Sequence, residues 1–147
     1  MKILNLARFK IKLRRLPDVA RAEIRKGLET SANEMVDLMK RMVPVDEGKL
    51  RDSIGWTWGA PPEGATVFAT AAGEAGLVVT IYAGDRNTVV TNARGIEFQN
   101  AFIQEFGRNG KHASPFFRPA WRINKKRAQS RVNRSLGKAA RKVAAGG

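Results

Sequence analysis

With 147 residues, one histidine and no cysteine, the chain is the size of one domain and excludes disulfides, thiolate–metal sites and the usual zinc or iron centres. Its net charge is +14, and all of the excess lies at the ends: six bases and no acid in 1–17, twelve bases and no acid in 106–147. Nine bases and thirteen acids lie between, so a nearly neutral body carries basic ends suited to nucleic acid, an anionic membrane or an acidic protein surface.

The opening, MKILNLARFKIKLRRLP, is basic and amphipathic. A transit peptide has this composition, but the apolar stripe runs on into the next element, so 1–16 is read as an N-terminal arm of a cytoplasmic chain. Residues 5–16 fit two patterns. Leu6, Phe9, Leu13 and Leu16 share a helical face, whereas Phe9, Ile11 and Leu13 alternate with bases as in a strand. Helix is preferred, with Asn5 as its N-cap. From Pro17 and Asp18 the pattern is clear. Ala20, Ile24, Leu28, Ser31, Met35, Met39 and Met42 recur at three and four, which predicts an amphipathic helix ending before Pro44. Gly27 weakens that helix by roughly 1 kcal/mol relative to alanine. The methionines serve as packing residues.

The corner that follows reads VPVDEGKLRDSI, 43–54. Asp46 is placed to cap a short second helix, with Val45 and Leu50 at the spacing of a hydrophobic staple. Leu50 and Ile54 share a face, Gly48 permits close backbone approach, and Lys49, Arg51 and Asp52 point outward. Each residue has a structural task, so the corner is read as fixing shape. A magnesium-dependent nuclease using Asp46, Asp52 and Glu105 is a weaker alternative, because magnesium needs few protein ligands.

The middle is strand-like. WTW, 56–58, alternates; 59–76 is read as a long mobile loop holding a strand at Thr66–Thr70. LVVTIYAG, 77–84, is the strongest strand, and NTVVTN, 87–92, is another. The predicted fold class is α+β: a long N-terminal helix packed on a small antiparallel sheet, with a basic C-terminal helix.

Asn109-Gly110 signals a turn, and His112 is read as a turn or surface residue. Pro115 and Pro119 cannot both sit within one helix interior, so 115–118 is predicted to be an extended clip and the last helix to start at Pro119. Its apolar stripe is thin: Trp121, Ala128, Val132, Leu136, Ala139 and Val143. Eight bases fall within 125–142, so the helix is marginal alone and calls for negative charge opposite Arg122, Lys125, Lys126, Arg127, Arg131, Arg134 and Lys138. Nucleic acid or an acidic protein fits better than a membrane surface, because the stripe lacks bulky inserting residues. Trp56, Trp58, Phe116, Phe117 and Trp121 are assigned to core or interface. No glycine-rich phosphate loop is present. The organisation expected is one domain over 1–122 and a basic helical tail over 123–147.

VPVDEGKLRDSI, FIQEFG and ASPFFRPAW, in this order after a long charged helix, resemble the head–tail joining (tail-completion) family of long-tailed bacteriophages. The resemblance spans roughly 17–121. Glu47 stands where that family commonly has threonine, and Phe117 where it has leucine. The basic tail lies outside the motifs. The resemblance implies a non-enzymatic virion protein without cofactor or metal, with a small antiparallel sheet packed by helices. It implies a ring, a hexamer of the chain, at the head–tail junction. Its neighbours would be the tail tube or tail terminator and the neck stopper or adaptor below the portal, with DNA in the channel and no membrane. Assembly would take place in the host cytoplasm. On this reading Val45, Asp46, Leu50, Arg51, Phe106, Phe116, Phe117, Arg118 and Trp121 form subunit or neck contacts, while the basic helix meets acidic partners or DNA. A small basic nucleic-acid-binding protein is the alternative.

Overall fold

The apolar positions spaced at three and four from Ala20 to Met39 do fall on one buried face of a helix, α1 (Asp18–Met42). The computed structural model describes residues 7–11, 18–73, 77–108 and 110–145. After α1 come a single turn of helix, α2 (Lys49–Asp52), and the strands β2 (Gly55–Trp58), β3 (Thr66–Gly73) and β4 (Val78–Ala83). With β1 (Ala7–Ile11) they form a four-stranded sheet in the order β1-β3-β4-β2. β3 and β2 both run antiparallel to β4. The fold is thus the expected α+β arrangement.

Two expectations about this sheet change. Residues 7–11 form a strand, not a helix, lying parallel to β3 from Ala7↔Ala69 to Ile11↔Gly73. The period-two alternation of Arg8 and Lys10 with apolar neighbours prevails over the competing helical spacing, because β3 offers an unpaired edge and a lysine-bearing strand suits a sheet margin. The Asn5 cap and the rest of the arm lie outside the described residues. In 59–76 the strand expected at Thr66–Thr70 is present and runs on to Gly73, so less of the segment is loop than expected. Residues 66–73 are a central strand bonded on both sides, and 74–76 lie outside the described residues. A register shift between Val67 and Ala69 inserts Phe68 as an extra residue, a bulge that re-aims a side chain. Phe68 is fully buried, with ring centroids 5.6 Å from Phe116 and 5.2 Å from Phe117.

Beyond β4, the capping box of Asp85 and Thr88 closes a short 3-10 turn. A separate hairpin follows, β5 (Val89–Thr91) with β6 (Glu97–Gln99), then α3 (Asn100–Phe106). The second strand of this hairpin was not anticipated, for three residues are too few to show alternation.

The last helix, α4 (Phe117–Ala144), is continuous through 122–123, where the composition changes. It packs antiparallel on α1. The crossing is close at Gly27, where an added Cβ would lie 2.1 Å from Ser135 Oγ and 3.0 Å from Ser135 Cβ. The thin stripe of α4 suffices because small residues on both helices permit near contact of the backbones. The core is two joined clusters. Met35, Met39, Leu50, Ile54, Phe68, Phe116 and Phe117 fill one end. Ile24, Leu28, Leu77, Val79 and Val132 fill the other.

Candidate functional site

Two of the sequence motifs meet at one carboxylate. Glu105, in α3, is fully buried. Its Oε1 accepts the backbone N–H groups of Phe116 at 2.9 Å and Phe117 at 2.7 Å, and its Oε2 accepts Arg118 N–H at 3.1 Å. The Arg118 side chain completes the set, donating from Nε to Oε2 at 2.9 Å and from Nη2 to the Glu105 carbonyl at 2.6 Å. A helix start leaves its first N–H groups without partners and carries partial positive charge. Phe116 has no side-chain acceptor of its own, so an acid borrowed from α3 caps α4. Pro119, next in line, has no N–H to satisfy. The helix therefore begins at Phe117 instead of Pro119, because the carboxylate organises the turn before the proline.

This clip places the predicted contact residues unequally. Phe116 and Phe117 are core residues, 0% and 1% exposed, and Leu50 is buried at 7%. Trp121 and Phe106 are half-buried against the same cluster. Arg118 remains at the surface, its guanidinium 5.0 Å from the Phe106 ring centroid. Val45, Asp46 and Arg51 are exposed. The corner itself is built differently from expectation. Gly48, at φ +81°, is the N-cap of α2 and supplies no side-chain bond. Neither the Asp46 cap nor the Val45–Leu50 staple forms: Val45 is 56% exposed while Leu50 turns inward. The left-handed conformation at Gly48 does the work assigned to Asp46, and glycine adopts it without steric cost. Ser53 ties the corner to the sheet, donating to Leu50 O at 2.6 Å and accepting from Gly84 N–H at 2.9 Å.

Gln99, which the sequence reading missed, holds the next junction. Its Nε2 donates to Gly64 O and Asp85 O at 2.8 and 2.9 Å, and its Oε1 accepts from Thr88 at 2.5 Å. An isolated glutamine in a three-residue strand carries no sequence signal for such a role. Between the corner, the 3-10 turn and α3 lies a groove of about 450 Å³, with Val45, Asp46, Arg51, Val90, Gln104 and Lys111 among its walls.

The basic helix finds part of its negative charge within the chain. Glu34 on α1 receives Arg131 in a two-pronged pair at 2.8 and 2.7 Å, with Arg127 at 3.5 Å. Arg131 also reaches Ser31 Oγ at 3.2 Å. Glu23 binds Lys142, with Lys26 at 3.9 Å. The hydrogen bond from Lys142 lowers the Glu23 pKa from its ordinary value, against the opposing effect of burial. Arg131 is therefore a packing residue of the helix pair, whereas Arg122, Lys125, Lys126, Arg134 and Lys138 are exposed.

Asp46, Asp52 and Glu105 do not converge. Among the described residues no three His, Cys, Asp or Glu side chains could hold a metal ion together, and both Glu105 oxygens are occupied by the clip. Among the described residues no helix is long and apolar enough to cross a membrane. A protein-family model described as "Bacteriophage HK97-gp10, putative tail-component" matches residues 7–114. No curated protein and no solved structure matches the chain.

Proposed function

Because the chain belongs to the HK97-gp10-like family of bacteriophage tail components, we propose that it assembles as a hexameric ring at the top of the tail and couples the tail tube to the neck. Its neighbours on this reading are the tail tube or terminator on one side and a stopper or adaptor below the portal on the other. It acts by contact and carries out no reaction.

The observation that supports this best is the groove beside the corner. Val45 in the corner and Val90 in β5, 56% and 40% exposed, line it, and Asp46, Arg51 and Lys111 stand with them. Apolar residues paired with charged neighbours in a concave face suit a subunit contact. The rigid clip at Glu105 holds α3 and α4 in fixed relation next to it, as a repeated contact requires.

The test has two parts. Antibody labelling of purified particles, viewed in negative stain, is expected at the head–tail junction; label elsewhere on the virion rejects the assignment. Val45→Glu with Val90→Glu is expected to abolish the ring in native mass spectrometry while the circular dichroism of the subunit is unchanged. A ring that survives this double change rules out the groove as the contact.

A further inference from the structure

The face where α4 crosses α1 carries more cation than its own acids can neutralise. Glu34 is already shared between Arg127 and Arg131, and Glu23 between Lys26 and Lys142. Beside them lies a groove of about 230 Å³ walled by Lys26, Thr30, Arg131, Arg134, Ser135 and Lys138, with Glu23 the one acid of its lining. Among the described residues no acid lies within ion-pair distance of Arg134 or Lys138. Seven bases thus stand against three acids on this face, Arg41 and Asp37 lying beside Arg127 and Glu34.

We infer that this groove is a binding site for the phosphodiester backbone of nucleic acid. The arrangement selects a continuous polyanion over an isolated carboxylate. Arg127, Arg131 and Lys142 are already paired with Glu34 and Glu23, which leaves Arg134 and Lys138, about 6 Å apart along α4, with Lys26 on α1 in the same groove. A phosphate backbone presents charge at comparable regular intervals. A single carboxylate of a protein partner would leave two of Lys26, Arg134 and Lys138 without a counter-charge from outside the chain. The groove's lining also includes the hydroxyl residues Thr30 and Ser135. None of its walls is aromatic. Trp56 and Trp58 pack on each other, with Arg25 4.7 Å from the Trp58 ring centroid, and Phe116 and Phe117 are interior. Base stacking is absent from the site, so recognition rests on the backbone and is independent of sequence. Lys26, on α1, belongs to this site although it lies in the nearly neutral middle of the chain, outside the two basic ends. The inference does not depend on ring formation: a free subunit can bind through this face, and a ring can form without it.

The experiment is a fluorescence anisotropy titration of the full chain with a labelled mixed-sequence duplex of two helical turns, repeated over a series of KCl concentrations. Each phosphate contact contributes about 0.9 to the slope of log K against log salt. The triple change Lys26→Gln, Arg134→Gln, Lys138→Gln is expected to reduce that slope by about 3 and affinity at low salt by about tenfold or more. The charge-preserving triple Lys26→Arg, Arg134→Lys, Lys138→Arg should retain the slope. Lys125→Gln with Lys126→Gln, on the other side of α4, should change it by less than about 1. Poly-glutamate should compete far more weakly than unlabelled duplex. No binding at low salt, a loss per charge in the Lys125/Lys126 variant equal to that in the groove variant, or competition by poly-glutamate as strong as by DNA would each overturn the assignment. Ring assembly, read separately by native mass spectrometry, is expected to be unchanged in the groove triple.

Discussion

Removing the Glu105 carboxylate should cost more than any other single change to a polar side chain in this chain. The alanine variant leaves the N–H groups of Phe116 and Phe117 without acceptors in a buried place and removes the carboxylate partner of Arg118 Nε, which keeps its bond from Nη2 to the residue-105 carbonyl. Each hydrogen bond to a charged group is worth about 1.5–3 kcal/mol, and such bonds do not add fully. Removing one partner from a buried charged pair costs about 3–5 kcal/mol, the figure adopted for Glu105→Ala. A chain of this size loses roughly 3 °C of Tm per kcal/mol, so the melt should fall by about 10–15 °C. Glu105→Gln should fall between this and wild type. Its amide oxygen still accepts two N–H groups, but its NH2 faces the donors of Arg118. Arg118→Ala should cost only about 1 kcal/mol, since that side chain is 45% exposed and the backbone bonds remain. Thermal melts followed by circular dichroism report all three. The reasoning fails if Glu105→Ala melts within about 3 °C of wild type, or if Arg118→Ala matches it, which would make the ion pair and not the backbone cap the dominant contact.

Gly27→Ala should lower stability by about 1–3 kcal/mol through overpacking at the helix crossing, and adding Ser135→Ala should recover part of the loss, because the 2.1 Å clash disappears while the 3.0 Å one remains. Chemical denaturation of the single and double variants measures this; a stabilised single variant would mean that helix propensity outweighs the clash. Arg131→Gln should cost about 1–2 kcal/mol, given its 16% exposed two-pronged pair with Glu34, whereas Lys125→Gln should be neutral within about 0.5 kcal/mol. For Glu23 the folded pKa is lowered, chiefly by its hydrogen bond from Lys142. Its contribution is therefore complete above the ordinary carboxylate pKa and disappears as pH falls through the lower folded value. Lys142→Met should accordingly reduce Tm at neutral pH and leave it unchanged once both states are protonated, a difference that melts at the two extremes would reveal.

The parts legible in sequence were those with repetition long enough to average out local noise. The apolar spacing of α1 over 25 residues and the β-branched run of β4 each identify their element, and three ordered motifs identify the family. The misreadings share a cause: contacts between residues distant in sequence decided the outcome. Residues 7–11 are a strand because β3 has an edge for them. Gly27 looks like a defect in α1 until Ser135 is brought against it. Asp46 looks like a cap until Gly48 takes that position with its backbone alone. Glu105 looks like a metal ligand and is the anchor of a helix whose first residue lies twelve positions away. The basic helix looks as if it needs an external acid, yet Glu23 and Glu34 in α1 meet part of that need, and Arg131 packs within the helix pair. No local pattern announces any of these pairings.

The unbroken run of α4 has a mechanical consequence. A helix of 28 residues is a rod about 42 Å long, pinned at one end by the Glu105 carboxylate and splinted along its length by α1. A neighbour that tilts the pinned end by about five degrees sweeps the far tip through nearly 4 Å, carrying its cationic flank with it. A small rocking where the subunit is gripped thus becomes a side-chain-sized displacement at the opposite end, without any bond in the helix having to break.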